Sequence, residues 1–138
     1  MRKTIILCAS ASFFDKLDRL KRELTLLGYA VRTPLLEGQG TDYTKLAQKE
    51  QAQVKCKFIN AHLEKIKKSD AILVANYDKH GIKGYIGANT FLEMAFAYAL
   101  DKKIFLLNPI PEQENKIEIM GLMPIVVEGK LDALLDLL

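Results

Sequence analysis

The sequence predicts an α/β fold, with one parallel sheet between two layers of helices. Short apolar segments rich in β-branched residues alternate with longer segments whose apolar residues recur every three or four positions. The first pattern is typical of buried parallel strands, and the second of helices that pack on a sheet. With 138 residues, of which 49% are apolar, and no internal repeat or linker, we expect residues 1–138 to form one domain.

Five strands and the intervening helices are predicted in alternation. The strands are TIILCA (4–9), YAVRTP (29–34), AILVANY (71–77), KIFLLN (103–108) and MPIVVEG (123–129). The first predicted helix is centred near Leu20 and ends at Gly28, and the second runs from Val54 to Lys68. The third follows Asn89, and the last, KLDALLDLL, closes the chain. Right-handed crossovers then cover both faces of the sheet with helices, which gives a Rossmann-like three-layer domain. Among the doubly wound folds we expect the flavodoxin-like one, whose five-stranded sheet has the order 2-1-3-4-5.

The overall charge and hydropathy exclude several classes of protein. A net charge of +3, from 20 basic and 17 acidic residues, is too balanced for a dedicated nucleic-acid binder but is compatible with a small anionic ligand. No apolar run reaches the roughly 18 residues that span a bilayer, so we expect a cytoplasmic protein without membrane contact. The lysines between residues 55 and 68 are interpreted as the solvent-exposed face of a helix.

The two cysteines give no sign of a disulfide or a metal site. Cys8 and Cys56 show no paired spacing with each other or with His62 and His80. We therefore expect two reduced thiols in or near the core, no metal and no cofactor.

Ligands of open α/β sheets bind beyond the carboxyl ends of the strands, which directs attention to the loops after the first, third and fourth strands. After the first strand, Ser10 and Ser12 precede a helix, where free backbone N–H groups favour an anion. We expect Ser12 to cap that helix and both serines to contact a ligand. The polar residues 36–53, which include two glycines, are predicted to form a mobile flap.

The most polar segment is NYDKHGIKGYIGANTFLE (76–93), which follows the third strand. Its three glycines permit tight turns, and Asn89 or Thr90 is expected to cap the next helix. Glu93 lies in the first turn of that helix or just beyond, within an otherwise apolar stretch. An acid there can serve the helix dipole, but burying a carboxylate costs several kcal/mol unless it is paired or used. The pattern therefore favours a functional role for Glu93.

Two segments of the chain resemble a known enzyme family. DAILVANYD and GANTFLEMAFAYALDKKIFLLN are similar to the nucleoside 2-deoxyribosyltransferases and their relatives, the 2′-deoxynucleoside 5′-phosphate N-hydrolases. Nearly the whole chain agrees with this family in its pattern of strands and helices, and about 40 residues match the family's specific motifs. GANTFLE also resembles the G-x-G-T-x-x-E element of the cytokinin-activating nucleotide phosphoribohydrolases, with Asn89 in place of a glycine.

The resemblance implies chemistry at the N-glycosidic bond of a nucleoside or nucleoside 5′-monophosphate. Glu93 would be the nucleophile, and Asp78 would assist the leaving base or activate the acceptor. Candidate substrate contacts are Ser10, Ser12, Tyr77, Gly87, Asn89 and Thr90, with Tyr85 as a further contact and Lys79, His80 and Lys83 as candidate phosphate ligands. Whether the enzyme is a hydrolase or a transferase, and which base and sugar it takes, stay open.

Two alternatives belong to other classes of protein. A nucleotide sensor would keep the pocket without chemistry, although the pair of Asp78 and Glu93 disfavours it. A receiver-like domain needs paired acids after its first strand, and CASASFF has none.

We also expect a homodimer or higher homo-oligomer. The apolar residues around the helix that begins near Asn89 exceed what one sheet face can cover. The family likeness implies that one subunit contributes to the other's pocket, from residues 36–53 or 108–123.

Overall fold

Five parallel strands form one sheet in the order β2-β1-β3-β4-β5, which confirms the predicted fold class and strand order. The structure, a computed structural model, describes residues 2–34 and 43–138. The strands are β1 (Thr4–Cys8), β2 (Ala30–Arg32), β3 (Ala71–Val74), β4 (Lys103–Leu106) and β5 (Ile125–Val126).

The helices lie on both faces of this sheet. They are α1 (Phe14–Leu26), α2 (Gln48–Lys67), α3 (Ala88–Ala99), α4 (Lys116–Gly121) and α5 (Leu134–Leu137), with 3₁₀ turns at Ala11–Phe13, Tyr43–Lys45 and Leu131–Ala133. Buried residues of α1 and α5 form one core with the sheet, and buried residues of α2, α3 and α4 form the other. The domain therefore has three layers.

Strand β1 shows how the alternation of side chains supplies both cores. Ile5 and Leu7 are fully buried on the side of α1, whereas Ile6 and Cys8 are fully buried on the side of α2 and α3. Cys8 is the last residue of β1 and pairs in register with Val74 of β3. The C-terminal end of β1 therefore delivers a thiol to the face where α2 and α3 pack.

Helix α1 ends as the sequence predicts. Gly28 has a φ of +100°, its N–H donates to the Thr25 carbonyl at 3.0 Å, and the Tyr29 N–H donates to the Leu24 carbonyl at 3.2 Å. This is the Schellman pattern, in which glycine accepts the left-handed backbone at no steric cost. The turn leads the chain directly into β2.

Several elements differ in extent from the prediction, most of all the start of α2, the length of β5 and the additional helix α4. Helix α2 begins at Gln48, so residues 48–53 are helical rather than part of a flap, and residues 36–42 of that flap lie outside the described residues. The segment QKEQAQ consists of strong helix formers but lacks an apolar face, so periodicity could not reveal it. Strand β5 has two residues instead of seven, and the short helix α4 was not predicted.

Within residues 2–34 and 43–138, no helix combines the length and the apolar character that crossing a membrane requires.

Candidate active site

A cleft of about 830 Å³ opens where β1 and β3 end, between α1, α2 and α3. This is the point where the strand order reverses, as predicted for an open α/β sheet. Its volume lies within the range of small-molecule sites. Its described walls consist of Ala9, Ser10, Ala11, Phe14, Asp15, Asp18, Pro34, Lys55, Phe58, Ile59, His62, Lys79, His80, Tyr85, Gly87, Ala88, Asn89, Thr90, Leu92, Glu93 and Phe96.

The loop after β3 makes a tight turn beside the cleft. Lys79 and Ile82 exchange two backbone hydrogen bonds of 3.1 and 2.9 Å. The two residues between them, His80 and Gly81, have φ angles of 55° and 72°. Two successive positive φ angles are typical of a type I′ turn. The turn places Lys79 and His80 in the cleft wall.

Gly84 lies where this loop crosses the segment after β4. Its N–H donates to Asp78 Oδ1 at 3.0 Å, and its carbonyl accepts from Asn76 Nδ2 at 3.2 Å. Its φ is +68°, and a Cβ there would lie 2.9 Å from the Pro109 carbonyl oxygen. Glycine is therefore required both by backbone conformation and by space.

Asn76 and Asn108 join the ends of β3 and β4. Asn76 is 1% exposed, and its Oδ1 accepts the Asn108 N–H at 2.9 Å. Its Nδ2 donates to the Asn108 carbonyl at 3.0 Å, and Asn108 Nδ2 donates to the Asn76 carbonyl at 2.8 Å. Gln113 adds a second tie through its side-chain amide, which bonds both the N–H and the carbonyl of Ile86. These bonds hold the loop that leads into α3.

Helix α3 begins with Gly87 at its N-cap position, so neither Asn89 nor Thr90 caps it, contrary to the prediction. Both residues lie in its first turn, and both line the cleft. Glu93 follows in the second turn. Because the effect of the helix dipole is concentrated in the first turn, the dipole alone does not account for an acid at this position.

Glu93 is in direct contact with His62 of α2, and both residues line the cleft. The contact joins Glu93 Oε2 to His62 Nδ1, and only 14% and 9% of the two side chains are exposed. The contact does not have hydrogen-bond geometry. Within the described part of the chain, Glu93 Oε2 and both ring nitrogens of His62 have no hydrogen-bond partner. These buried polar atoms are therefore under-satisfied, which is unusual in a folded protein.

Cys8 lies behind this pair. Its Sγ, a His62 nitrogen and a Glu93 oxygen all lie within 4.8 Å of one another. Burial raises the pKa of the Cys8 thiol well above its usual value, and the charge and hydrogen bonding of Glu93 raise it further. Cys8 is thus the core thiol that the sequence predicts. Cys56 is exposed on α2, so its predicted place in or near the core is wrong.

Five of the eight predicted site residues line the cleft, namely Ser10, Gly87, Asn89, Thr90 and Glu93. Ser10 accepts a hydrogen bond of 2.9 Å from Lys79 Nζ, which fixes the lysine at the cleft. The candidate phosphate ligand Lys83 is exposed outside the described walls, whereas Lys79 and His80 belong to them.

The other three predicted residues, Ser12, Tyr77 and Asp78, lie outside the described cleft walls. Ser12 is exposed within a 3₁₀ turn whose N-cap position is Ser10, so it does not cap α1. Tyr77 packs edge-on against Phe13, with ring centroids 5.3 Å apart, on the face of the sheet that α1 covers. Burial raises the pKa of Tyr77, with Glu23 adding to the shift and Arg19 opposing it. Asp78 is exposed, and its carboxylate accepts the Gly84 N–H.

His62 is the main residue of the cleft that the sequence analysis missed. It lies four residues from Phe58 and four from Ile66 on α2, so it shares the inward face of that helix. A histidine at an apolar position was the available signal. Asp15, Asp18 and Lys55 also line the cleft, and Lys55 departs from the predicted solvent-exposed face.

Comparison with known proteins supports the fold. No protein-family model matches the chain, and no curated protein matches it in sequence. Among solved structures, the chain is similar to a 2-deoxyribosyltransferase from the psychrotolerant bacterium Bacillus psychrosaccharolyticus, with a TM-score of 0.61 and 20% identity. The match covers 95% of this chain and 89% of the other. Such a likeness establishes a shared fold, and the function must be argued from the site.

Proposed function

We propose that the chain cleaves or transfers at the N-glycosidic bond of a nucleoside or nucleoside 5′-monophosphate, with Glu93 as its nucleophile. One observation carries the proposal: the mostly buried carboxylate of Glu93 lines the cleft, contacts His62 Nδ1, and has no hydrogen-bond partner at Oε2 among the described residues. Burying a carboxylate is unfavourable unless it is paired, so a carboxylate at such a position is typical of a functional site. The motif around Glu93 and the structural similarity to a 2-deoxyribosyltransferase support the same chemistry.

The proposed reaction has two steps. A Glu93 oxygen bonds to the anomeric carbon while the bond from that carbon to the base nitrogen breaks, through an oxocarbenium-like transition state. The bonding electron pair leaves with the base, which takes up a proton. Water then resolves the glycosyl ester to free sugar, or a second base accepts the sugar and forms a new nucleoside.

His62 is a positioning residue in this scheme. Its ring, carried by α2, contacts the carboxylate of Glu93, carried by α3. A carboxylate held between two helices loses rotamer freedom before the substrate arrives, and correct orientation lowers the barrier to attack.

The cleft walls suit a base and a sugar phosphate at different places. Phe14, Phe58 and Phe96 offer aromatic surface for a planar base. Lys79, fixed by Ser10, and the neighbouring His80 offer donors for a 5′-phosphate. These contacts are compatible with both nucleosides and their monophosphates.

The group that helps the base leave is assigned differently from the first expectation. Asp78 uses its carboxylate to hold Gly84, whereas Asp15 and Asp18 of α1 line the cleft. We therefore propose that an acid of α1 protonates or hydrogen-bonds the departing base, and that Asp78 supports the loop.

Incubation of the purified chain with a panel of nucleosides and nucleoside monophosphates tests this function. We expect at least one member to release free base, detected by chromatography, and expect a second base to be incorporated if the enzyme is a transferase. Calorimetric binding of panel members without any base release would instead support the nucleotide-sensor alternative.

A further inference from the structure

Three residues from separate elements bring metal-binding side chains together under the cleft. Cys8 ends β1, His62 lies in the third quarter of α2, and Glu93 lies in the second turn of α3. One ligand atom from each lies within 4.8 Å of the other two. The residues are far apart in sequence, so no spacing motif could indicate the cluster.

A second observation points to a ligand at this position. His62 Nδ1 and Glu93 Oε2 contact each other without hydrogen-bond geometry, and the buried Nε2 of His62 has no hydrogen-bond partner among the described residues. His62 as a whole is 7% exposed. Buried imidazole and carboxylate groups normally find partners, and a cation that accepts a lone pair from each supplies one.

The three donors select a class of metal. A thiolate and an imidazole favour zinc and similar first-row transition ions, whereas Mg²⁺ and Ca²⁺ prefer ligand sets made of oxygen. Catalytic zinc sites also have three protein ligands and leave the fourth coordination position to water or substrate. Cys8 is fully buried, while His62 and Glu93 line the cleft, so a bound ion would be reached from the cleft.

We propose that Cys8, His62 and Glu93 form a binding site for a divalent transition-metal ion of the zinc class. Binding joins the ion to the Cys8 sulfur, one His62 nitrogen and one Glu93 oxygen, and the Cys8 proton passes to the buffer.

The site has a regulatory consequence, which rests on the proposed function. A Glu93 oxygen that coordinates a cation cannot offer the same electron pair to an anomeric carbon. Zinc therefore inhibits base release, and a chelator restores it.

The binding test uses Co²⁺ as a spectroscopic probe on the full chain after treatment with a chelator. We expect one Co²⁺ per chain, a thiolate-to-cobalt charge-transfer band, and loss of this band on addition of one equivalent of Zn²⁺. Cys8→Ser should abolish the band. His62→Gln should weaken Co²⁺ binding by at least the roughly 10- to 100-fold that loss of an outer-shell partner causes.

Cys56→Ser and His80→Gln are the matched controls, because Cys56 and His80 lie outside the cluster. Both should keep the band and the affinity. Absence of the band in the wild-type chain, or its retention in Cys8→Ser with loss in Cys56→Ser, would overturn the site. Circular dichroism establishes that each variant is folded, and the His62→Gln titration tests the site should Cys8→Ser fail to fold.

The inhibition test is separate from the binding test. Base release should fall as Zn²⁺ is titrated in and should recover with a chelator, whereas the Cys8→Ser variant should resist the same concentrations. Base release that is insensitive to Zn²⁺ at full occupancy would overturn the regulatory consequence. A chain that binds the metal but releases no base in any form would contradict the proposed function while supporting the metal site.

Discussion

Gly84 combines two constraints that can be separated by substitution. It has a φ of +68° and its missing Cβ faces the Pro109 carbonyl, whereas Gly81 has a φ of +72° with open space around it. Gly121 has open space and no positive φ. The three positions therefore separate backbone strain from steric conflict.

For this series, we expect Gly81→Ala to lower the free energy of unfolding by about 1–2 kcal/mol, which is the cost of a left-handed residue with a side chain. Gly84→Ala should lower it by roughly 1–3 kcal/mol more, because the Cβ must displace backbone. Gly121→Ala should be close to neutral. Urea denaturation measures all three, and equal losses for Gly81→Ala and Gly84→Ala would contradict the steric argument.

The acidic residues of α1 that line the cleft can be compared with Asp78 by substitution. Asp15→Asn or Asp18→Asn should lower the rate of base release by roughly 10²-fold or more for a natural base, and by less for a base that leaves readily. Asp78→Asn should have little effect on either, because an amide oxygen still accepts the Gly84 N–H. Steady-state kinetics with both kinds of substrate would show the difference. A selective loss for natural bases in Asp78→Asn would return the leaving-group role to Asp78.

The loop between β3 and α3 is held by side chains of its neighbours rather than by a sheet ladder. Asn76 makes four hydrogen bonds through its side chain, to Gly84, Asn108 and Pro109. Such contacts between distant segments cannot be inferred from local pattern. The glycines of this loop are evident in the sequence, but local pattern does not indicate which of them a neighbouring segment constrains.

We therefore expect Asn76→Ala to lower the free energy of unfolding by about 1–3 kcal/mol, because it removes the partners of buried backbone groups. It should also raise KM for the substrate, since the loop carries Lys79 and His80. Asn60→Ala, at an exposed position on α2, is the control and should be neutral. Chemical denaturation and steady-state kinetics measure the two effects. An Asn76→Ala variant as stable as the Asn60→Ala control would contradict the role of this tie.

Elements with a strong apolar pattern were the predictable part of the molecule. Strands β1, β3 and β4 and helix α1 appear where the pattern places them, since burial on the sheet imposes their periodicity. The start of α2 is helical for reasons of intrinsic propensity, and α4 is too short to show a period.

For the whole molecule, the strand order could be predicted by choosing among the common doubly wound topologies, whereas the composition of the cleft could not. Glu93 was predicted because it interrupts an apolar helix. Cys8 and His62 became neighbours of Glu93 only through the packing of β1, α2 and α3, which no single segment records. The sequence thus indicated one residue of the site but not the residues that pack against it.

The predicted homodimer concerns the outer surface of α3. Met94 is fully buried within the chain, but Tyr98 is 55% exposed, so part of the predicted apolar face stays open. We expect light scattering to show a dimer, Tyr98→Glu to shift it toward monomer, and specific activity to fall with it. Leu26→Glu, at an exposed leucine of α1, should leave the dimer intact. A monomer with full activity at high concentration would exclude this assembly.

The Glu93→Gln variant is the sharpest test of Glu93 as the nucleophile. With a substrate from the panel, we predict that this variant keeps the fold and substrate binding but loses roughly 10³-fold or more in the rate of base release. Glu118→Gln, at an exposed position on α4, should retain the wild-type rate. Base release by Glu93→Gln at the rate of the Glu118→Gln control would rule out Glu93 as the nucleophile.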